Sequence, residues 1–303
     1  MTNIITLGDP HLGRKFRTGV PLHRIGDREE FVWAEFEKAL NDHNGDIHIN
    51  MGDLFDKFVV SPEVVLRAAE MYRTAAKNLS ACRFYVLRGN HDVSRDSSKK
   101  SSFDIFTQLV AGSPNISVVS STRVIDGTIG LVGYDPFVPV IDQIDDLPDE
   151  LDVVYMHHDF VDFGGDHVIP TELLARRGIF KVVNGHDHLK RTEKRHGVTV
   201  ELTGSMQPYT HAEDGTGDWY QTHTLETIPE DCTNLNIRVL LKEGEILPED
   251  LDCLSLIGKR VVGEGQEAEV DTTDFDTFDV KTALEEAVHP EVRALVMEKF
   301  DAA

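Results

Sequence analysis

Residues 47–56, IHINMGDLFD, join a short apolar run to a Gly-Asp pair, and this arrangement recurs along the chain. The run 83–87 leads into GNHD at 89–92, and the run 180–183 leads into GHDH at 185–188. Asp and Asn favour turns and helix caps, so one example would carry little weight. Their recurrence predicts that these polar residues act together. Further runs of this kind are 3–7 before GDPH, 153–156 before HHD, and 198–202 before GS.

The apolar runs alternate with segments of helical character at residues 28–40, 62–79 and 102–110. Short β-branched runs between helices are typical of an α/β protein with buried, largely parallel strands. Ligands of such sheets bind beyond the carboxyl ends of the strands. Because the polar residues follow the runs, we expect them to converge at one edge of the fold.

Composition excludes several classes of protein. The chain has 303 residues, of which 40 % are hydrophobic, as in a globular protein with one large domain and a smaller appendage. No run reaches the ~18 apolar residues of a membrane span, and the start lacks signal-peptide features, so a soluble cytoplasmic protein is expected. Three widely spaced cysteines indicate neither a disulfide framework nor a thiolate zinc site. The net charge of -23 argues against non-specific attraction to nucleic acid or membranes, although local charge can differ.

A change of composition near residue 229 predicts a domain boundary. Acidic residues far outnumber Lys and Arg from 226 to 279. Residues 234–241 still alternate like a strand, and residues 280–300 have helical spacing that His289-Pro290 should interrupt. The predicted parts are a domain at 1–228, a small acidic capping element at 229–278 and a helical tail at 279–303.

The residue types at the run ends are those of a metal centre. Asp9 and His11 lie on one side of an extended segment, because side chains there alternate with a period of two. A mixed oxygen and nitrogen set without thiolate suits Mn²⁺, Mg²⁺, Fe or Zn²⁺, and Mn²⁺ is preferred here. Two such ions about 3.5 to 4 Å apart stabilise the attacking and leaving oxygens of a phosphoryl displacement. The predicted ligands are Asp9, His11, Asp53, Asn90, His157, His186 and His188.

In their order and spacing, these motifs resemble those of the calcineurin-like metallophosphoesterase family: D-x-H, G-D, G-N-H-[DE], H and G-H-x-H. The resemblance implies a two-sheet sandwich flanked by helices, with a small C-terminal capping element. It makes His91 the catalytic acid and Asp56 the carboxylate that orients it, and it makes Asp53 the bridge between two ions. By the resemblance, one ion would be held by Asp9, His11, Asp53 and His188, and the other by Asp53, Asn90, His157 and His186.

Three stretches are similar to a nuclease branch of that family, namely the nuclease subunit of SbcCD-type complexes and related bacteriophage recombination nucleases. They are GDPHLG at 8–13, GDLFD at 52–56, and GSMQP at 204–208 with Glu213 after it. The resemblance implies a DNA exonuclease or endonuclease of recombination, repair or replication, and leaves a homodimer and a phage origin open. It also implies an ATPase with coiled-coil arms, which must be a separate chain because this one has neither a P-loop pattern nor extended heptads.

Basic residues after the motifs suit a polyanionic substrate. Arg14 and Lys15 follow the first motif, and Lys190 and Arg191 follow the last. Phosphate contacts would position a strand without reading its sequence, although ordinary solvated charges have the same pattern.

Several alternatives stay open at this stage. The enzymatic rival to a nuclease is a phosphoesterase of a small-molecule phosphodiester or a phosphoprotein, whereas the complete ligand set argues against an inactive scaffold. His158 either lies near the metal ions or supports its loop. The tail either docks on the ATPase or folds back on the core.

Overall fold

The computed structural model describes residues 2–162, 165–248 and 251–261, and in these ranges thirteen strands form three sheets. The first sheet is entirely parallel and keeps the chain order β1-β2-β3-β4. Its carboxyl ends therefore meet at one edge. The strands are β1 (Ile4–Leu7), β2 (Ile47–Asn50), β3 (Arg83–Leu87) and β4 (Ile116–Val119).

The second sheet has six strands in the order β5-β6-β7-β8-β10-β9. The four inner strands are parallel, and an antiparallel neighbour closes each side. The strands are β5 (Thr122–Ile125), β6 (Ile129–Val132), β7 (Val153–Met156), β8 (Lys181–Asn184), β9 (Arg191–Arg195) and β10 (Val198–Leu202).

Alternation along single strands places the two sheets face to face. In β3, Phe84 and Val86 pack into the core beneath the helices, whereas Tyr85 and Leu87 join a core shared with the second sheet. In β7, Tyr155 belongs to that shared core too. Successive side chains of a strand point to opposite faces, so each sheet is buried on both sides. This arrangement is the predicted two-sheet α/β sandwich, and the fold class is confirmed.

Helices cover both outer faces. On the first sheet they are α1 (Asp27–Leu40), α2 (Pro62–Asn78) and α3 (Ser102–Val110), and on the second they are α4 (Val140–Asp145) and α5 (Thr171–Arg176). Helix α3 begins with a capping box, in which the Ser101 hydroxyl accepts from the Asp104 N–H at 3.0 Å and the Asp104 carboxylate accepts from the Ser101 N–H at 2.8 Å. None of the described helices has the length and hydropathy of a membrane span.

A third, smaller sheet follows the sandwich. It comprises β11 (Tyr220–Thr224), β12 (Asn236–Leu241) and β13 (Ser255–Arg260), all parallel. Its core contains Ile237 and Val239 together with the buried Cys232 and Cys253. Strand β11 precedes the predicted boundary at residue 229, and the domain limits stay a prediction. The predicted helical tail at 279–303 lies outside the described residues.

Candidate metal centre

The predicted ligands come together at the carboxyl ends of the parallel strands. Asp9 and His11 follow β1, Asp53 follows β2, and Asn90 follows β3 in the first sheet. The second sheet contributes His157 after β7, and His186 and His188 after β8. Asp9, His11, Asp53 and His157 are each at most 1 % exposed. Buried charges and imidazoles of this kind need partners, so their convergence in one place indicates a metal centre.

The loops that carry the ligands are bent into uncommon conformations. His11, Asp53 and His186 have φ angles of 45°, 47° and 69°. Such left-handed conformations cost a residue other than glycine about 1 to 3 kcal/mol and concentrate at functional sites. Close packing also requires a glycine, because a Cβ on Gly89 would overlap the Asp53 carboxylate. The backbone thus accepts strain that brings the ligand atoms together.

The first ligand set consists of Asp9, His11 and His188. One ligand atom from each lies within 4.8 Å of the others. The Nε2 atoms of His11 and His188 are 3.0 Å apart, and Nε2 of His188 is 3.8 Å from Oδ2 of Asp9. Burial lowers the pKa of His11 to about 3, so its ring is neutral and has a lone pair for a cation.

The second ligand set consists of Asp53, Asn90, His157 and His186. Ligand atoms of Asp53, His157 and His186 also lie within 4.8 Å of one another. Oδ1 of Asn90 is 2.9 Å from both Nε2 of His157 and Nδ1 of His186. Oδ2 of Asp53 lies 3.4 Å from Nε2 of His157 and 3.8 Å from Nε2 of His11. One carboxylate oxygen therefore faces both sets, as a bridging ligand must.

The electrostatics of the two sets fit divalent cations. Burial, followed by the negative charge of Asp53, raises the pKa of Asp9 well above its usual value. Burial alone would raise the pKa of Asp53, but its interaction with the imidazole of His157 lowers that pKa below its usual value. Oδ1 of Asp9 is buried and has no hydrogen-bond partner in the described part of the chain. Cations bound by the two sets would satisfy that oxygen and let Asp9 ionise beside Asp53.

The ligand imidazoles of His157 and His186 each have an outward partner as well. Nδ1 of His157 donates to the carbonyl of Met51 at 2.8 Å, so Nε2 is left to bind a cation. Nε2 of His186 lies 2.7 Å from the Asp159 carboxylate, which raises the pKa of His186 although burial alone would lower it. Sequence reasoning did not identify Asp159. A carboxylate two positions after a ligand histidine, in HHD at 157–159, is the signal that it carries.

His91 lies beside the centre, but its predicted contact with Asp56 differs. The His91 ring is exposed, 4.9 Å from the His11 ring between centroids. Nδ1 of His91 donates to the main-chain carbonyl of Asp56 at 2.6 Å, whereas the Asp56 carboxylate lies 3.5 Å from the guanidinium of Arg14. Because a carbonyl only accepts, Nδ1 carries the hydrogen and Nε2 is available to a reacting group. Asp56 thus orients His91 through its backbone.

The predicted substrate contacts fall on two flanks. On one flank Arg14 and Lys15 line a groove of about 310 Å³, which Arg17 and Arg238 also line; we call it the basic groove. Burial, followed by the charge of Arg238, lowers the pKa of the groove residue His211 to about 4, so His211 adds no positive charge at neutral pH. Arg238 was not predicted, although a cation within an apolar strand pattern was its signal.

On the other flank, Arg191 is already paired. Its guanidinium contacts the carboxylate of Asp187 at 2.7 Å and that of Glu193 at 3.2 Å. Lys190 is exposed next to it. His158 is buried away from both flanks, where its ring packs against Tyr134 at 5.7 Å. That position favours a supporting role for His158.

Comparisons with known proteins place this architecture in a family. The model of the calcineurin-like phosphoesterase family matches residues 2–190. No curated protein matches the sequence. Similar solved structures include a phosphopantetheinyl hydrolase from Mycobacterium tuberculosis, at 13 % identity and a TM-score of 0.39, over 68 % of this chain and 93 % of that one. Another is the protein TT1561 of Thermus thermophilus, at 14 % identity and a TM-score of 0.40, over 68 % and 91 %. The match of more than half of the chain shows that this protein belongs to the calcineurin-like phosphoesterases, a family of dinuclear metal-dependent hydrolases.

Proposed function

We propose that this protein is a metal-dependent DNA nuclease, which hydrolyses phosphodiester bonds as the nuclease subunit of a complex with a separate ATPase. The basic groove is the observation that carries the proposal. Its wall residue Tyr209 lies 5.4 Å from the His11 ring and 6.0 Å from the His188 ring, between centroids. The groove therefore borders the metal centre across Tyr209, and a polyanion bound in it would extend towards the metal ions.

The chain supplies a complete site for this reaction. The two ligand sets would hold two divalent ions, for which Mn²⁺ is our choice on the basis of mixed oxygen and nitrogen donors. When bound, such ions provide Lewis acidity at the phosphoryl group and lower the pKa of a water molecule. In its imidazolium form His91 would donate the Nε2 proton to the leaving alkoxide and keep the Nδ1 hydrogen, which the carbonyl of Asp56 accepts.

The charges of the groove suit a nucleic acid strand. Arg14, Lys15, Arg17 and Arg238 gather on one side of the metal centre in a chain whose net charge is -23. In the same wall the partly exposed ring of Phe16 stacks on the buried ring of Tyr209 at 6.2 Å and offers an apolar surface for a sugar or base. Cations that contact phosphates fix the register of a strand and do not read its sequence. We infer that cleavage depends on DNA structure and not on base sequence.

The acidic remainder of the molecule favours a partner that adds affinity for DNA. Like charges on the protein and on the phosphates repel each other, most strongly at low ionic strength. An ATPase with coiled-coil arms, as in the nuclease branch that the motifs resemble, would supply this affinity. The tail at 279–303, outside the described residues, is our proposed docking segment for it.

The test is an assay of the purified chain with Mn²⁺ against linear duplex DNA and single-stranded DNA. Cyclic nucleotides, phosphomonoesters and a phosphopeptide serve as competing substrate classes. The variant Asp53→Ala, which removes the shared carboxylate, controls for contaminating nucleases. We expect DNA to be hydrolysed by the wild-type chain and not by the variant. Turnover of the small substrates or the phosphopeptide alone would refute the nuclease and leave the family's phosphoesterase chemistry in place.

A further inference from the structure

Arg28, in the first turn of α1, is a buried cation that the chemistry described above does not use. It is 2 % exposed, and within the described ranges no carboxylate forms an ion pair with it. Burial lowers the pKa of its guanidinium. A buried charge without an opposite charge is unfavourable unless hydrogen bonds and aromatic faces compensate for it. A cation that stays buried under these conditions is expected to hold neighbouring segments of the chain in place.

The hydrogen-bond partners of Arg28 belong to a segment next to the metal centre. The guanidinium donates to the side-chain oxygen of Gln207 and, at 2.8 Å, to the carbonyl of Pro208. Its faces lie 5.0 Å from the ring centroid of Phe16 and 4.6 Å from that of Trp219. Arg28 thus anchors residues 205–213, which we call the brace loop.

The brace loop in turn contacts the first ligand set through Tyr209 and Glu213. The hydroxyl of Tyr209 donates to the carbonyl of Pro10 and lies 3.2 Å from that of Asp9. The carboxylate of Glu213 accepts from the N–H of Tyr209 at 2.8 Å and faces Nδ1 of His188 at 3.3 Å. A carboxylate on the outer nitrogen of a ligand histidine sets the ring orientation and leaves the inner nitrogen for the metal.

We propose that Arg28 is a positioning residue of the metal centre, which acts through the brace loop on Asp9 and His188. The path has three steps: Arg28 holds Gln207 and Pro208, the following Tyr209 holds the loop of Asp9, and Glu213 orients His188. The inference concerns the metal centre and holds whichever phosphodiester is the substrate. It also explains why GSMQP and Glu213 occur together in the sequence, since the loop needs both its anchor and its contact.

The test compares Arg28→Met with Arg28→Lys and with the control Arg67→Met. Arg67 also lies over an aromatic ring, that of Trp33, and pairs with Glu30, and neither partner is a ligand or part of the brace loop. Mn²⁺ binding is measured by calorimetry, and turnover is measured with bis(p-nitrophenyl) phosphate. The ring-nitrogen signals of His188 in metal-free protein report which nitrogen carries the hydrogen.

We expect Arg28→Met to lower the affinity for one of the two Mn²⁺ ions by about 10-fold or more. It should lower kcat by about 10- to 100-fold and leave KM unchanged. The signals of His188 should change before any metal is added. Arg28→Lys should recover part of the loss, because an ammonium keeps the charge without the planar fork of donors. Arg67→Met should match the wild type in all three measurements.

Several results would overturn the proposal. One is an Arg28→Met protein that binds both Mn²⁺ ions and turns over as the wild type does. If Arg28→Met fails to fold, Arg28→Lys decides, since wild-type Mn²⁺ affinity and unchanged His188 signals in that variant would rule out positioning through the guanidinium. Glu213→Gln must also weaken the binding of one Mn²⁺ ion. In the double variant with Arg28→Met, the loss of Mn²⁺ binding free energy must be smaller than the sum of the two single losses.

Discussion

The two ligand sets are built from different parts of the chain. The second set is held by contacts inside the segment 2–190 that the family model matches, such as Nδ1 of His157 on the carbonyl of Met51. The first set also depends on Tyr209 and Glu213 of the brace loop, which lies after that segment. The contacts that hold the second ligand set therefore lie within the part of the chain that has the family fold. The first ligand set is linked to the third sheet through a loop that the sandwich does not require.

The brace loop also connects the first ligand set to the third sheet. The hydroxyl of Tyr220, at the start of β11, donates to the carbonyl of Tyr209 at 2.8 Å. The third sheet thus contacts the same loop that contacts Asp9 and His188. A ligand or partner that moved this sheet would act on the first ligand set before it acted on the second.

Removal of the Asp53 carboxylate should affect the two ligand sets equally. In Asp53→Ala we expect both metal ions and all detectable activity to be lost, because Oδ2 of Asp53 faces both sets. Metal analysis after dialysis measures the occupancy. Asp126→Ala, which breaks a surface ion pair with Arg83, is the control and should keep two ions. Two ions bound to Asp53→Ala would show that the sets are independent.

His91 lies next to both sets without belonging to either. We expect His91→Asn to retain both metal ions and to lower turnover by roughly 100-fold, the usual effect of losing a positioned acid. The loss should shrink for substrates with good leaving groups, because these depart without a proton. Rates with a series of phosphodiesters of graded leaving-group pKa measure this. Equal losses across the series would exclude His91 as the acid.

The outward carboxylates Asp159 and Glu213 permit a matched comparison of the two sets. Asp159→Asn should weaken only the ion of the second set, by about 10-fold, since Asp159 contacts His186. Glu213→Gln should weaken only the ion of the first set to a similar degree, since it contacts His188. Titration with Mn²⁺ distinguishes the two ions. If either variant weakened both ions equally, the sets would have to be treated as one cooperative unit.

The smallest expected effect concerns the basic groove. Arg238→Gln should raise KM for DNA several-fold and reduce the dependence of log KM on log salt concentration by about one phosphate contact. It should leave turnover of bis(p-nitrophenyl) phosphate unchanged. Arg191→Gln is the comparison, and we expect a weaker effect there because Asp187 and Glu193 already neutralise Arg191. A larger effect at Arg191 than at Arg238 would move the DNA path to the opposite flank.

Much of the fold could be predicted from local patterns. The predicted runs 3–7, 83–87 and 198–202 correspond within one residue to β1, β3 and β10, and helix α3 begins and ends where it was predicted. These elements are buried on a defined face, so their hydrophobic periodicity is clear. Strands β9 and β11 were not predicted, because their mostly polar residues, such as the half-buried Arg191 and Gln221, lack that periodicity.

The metal centre, too, has features that the sequence predicts and features that only the tertiary structure shows. The sequence by itself determined which residues gather, because parallel strands end at one edge of a sheet and every predicted run except 198–202 led into a potential ligand. Only the tertiary structure decided how those residues are held. The backbone contact of His91 with Asp56, the pair of Asp159 with His186 and the brace loop under Arg28 each join side chains or carbonyls far apart in the chain. Such contacts require packed loops to be placed to within a few tenths of an ångström, and no local periodicity in the sequence records that placement.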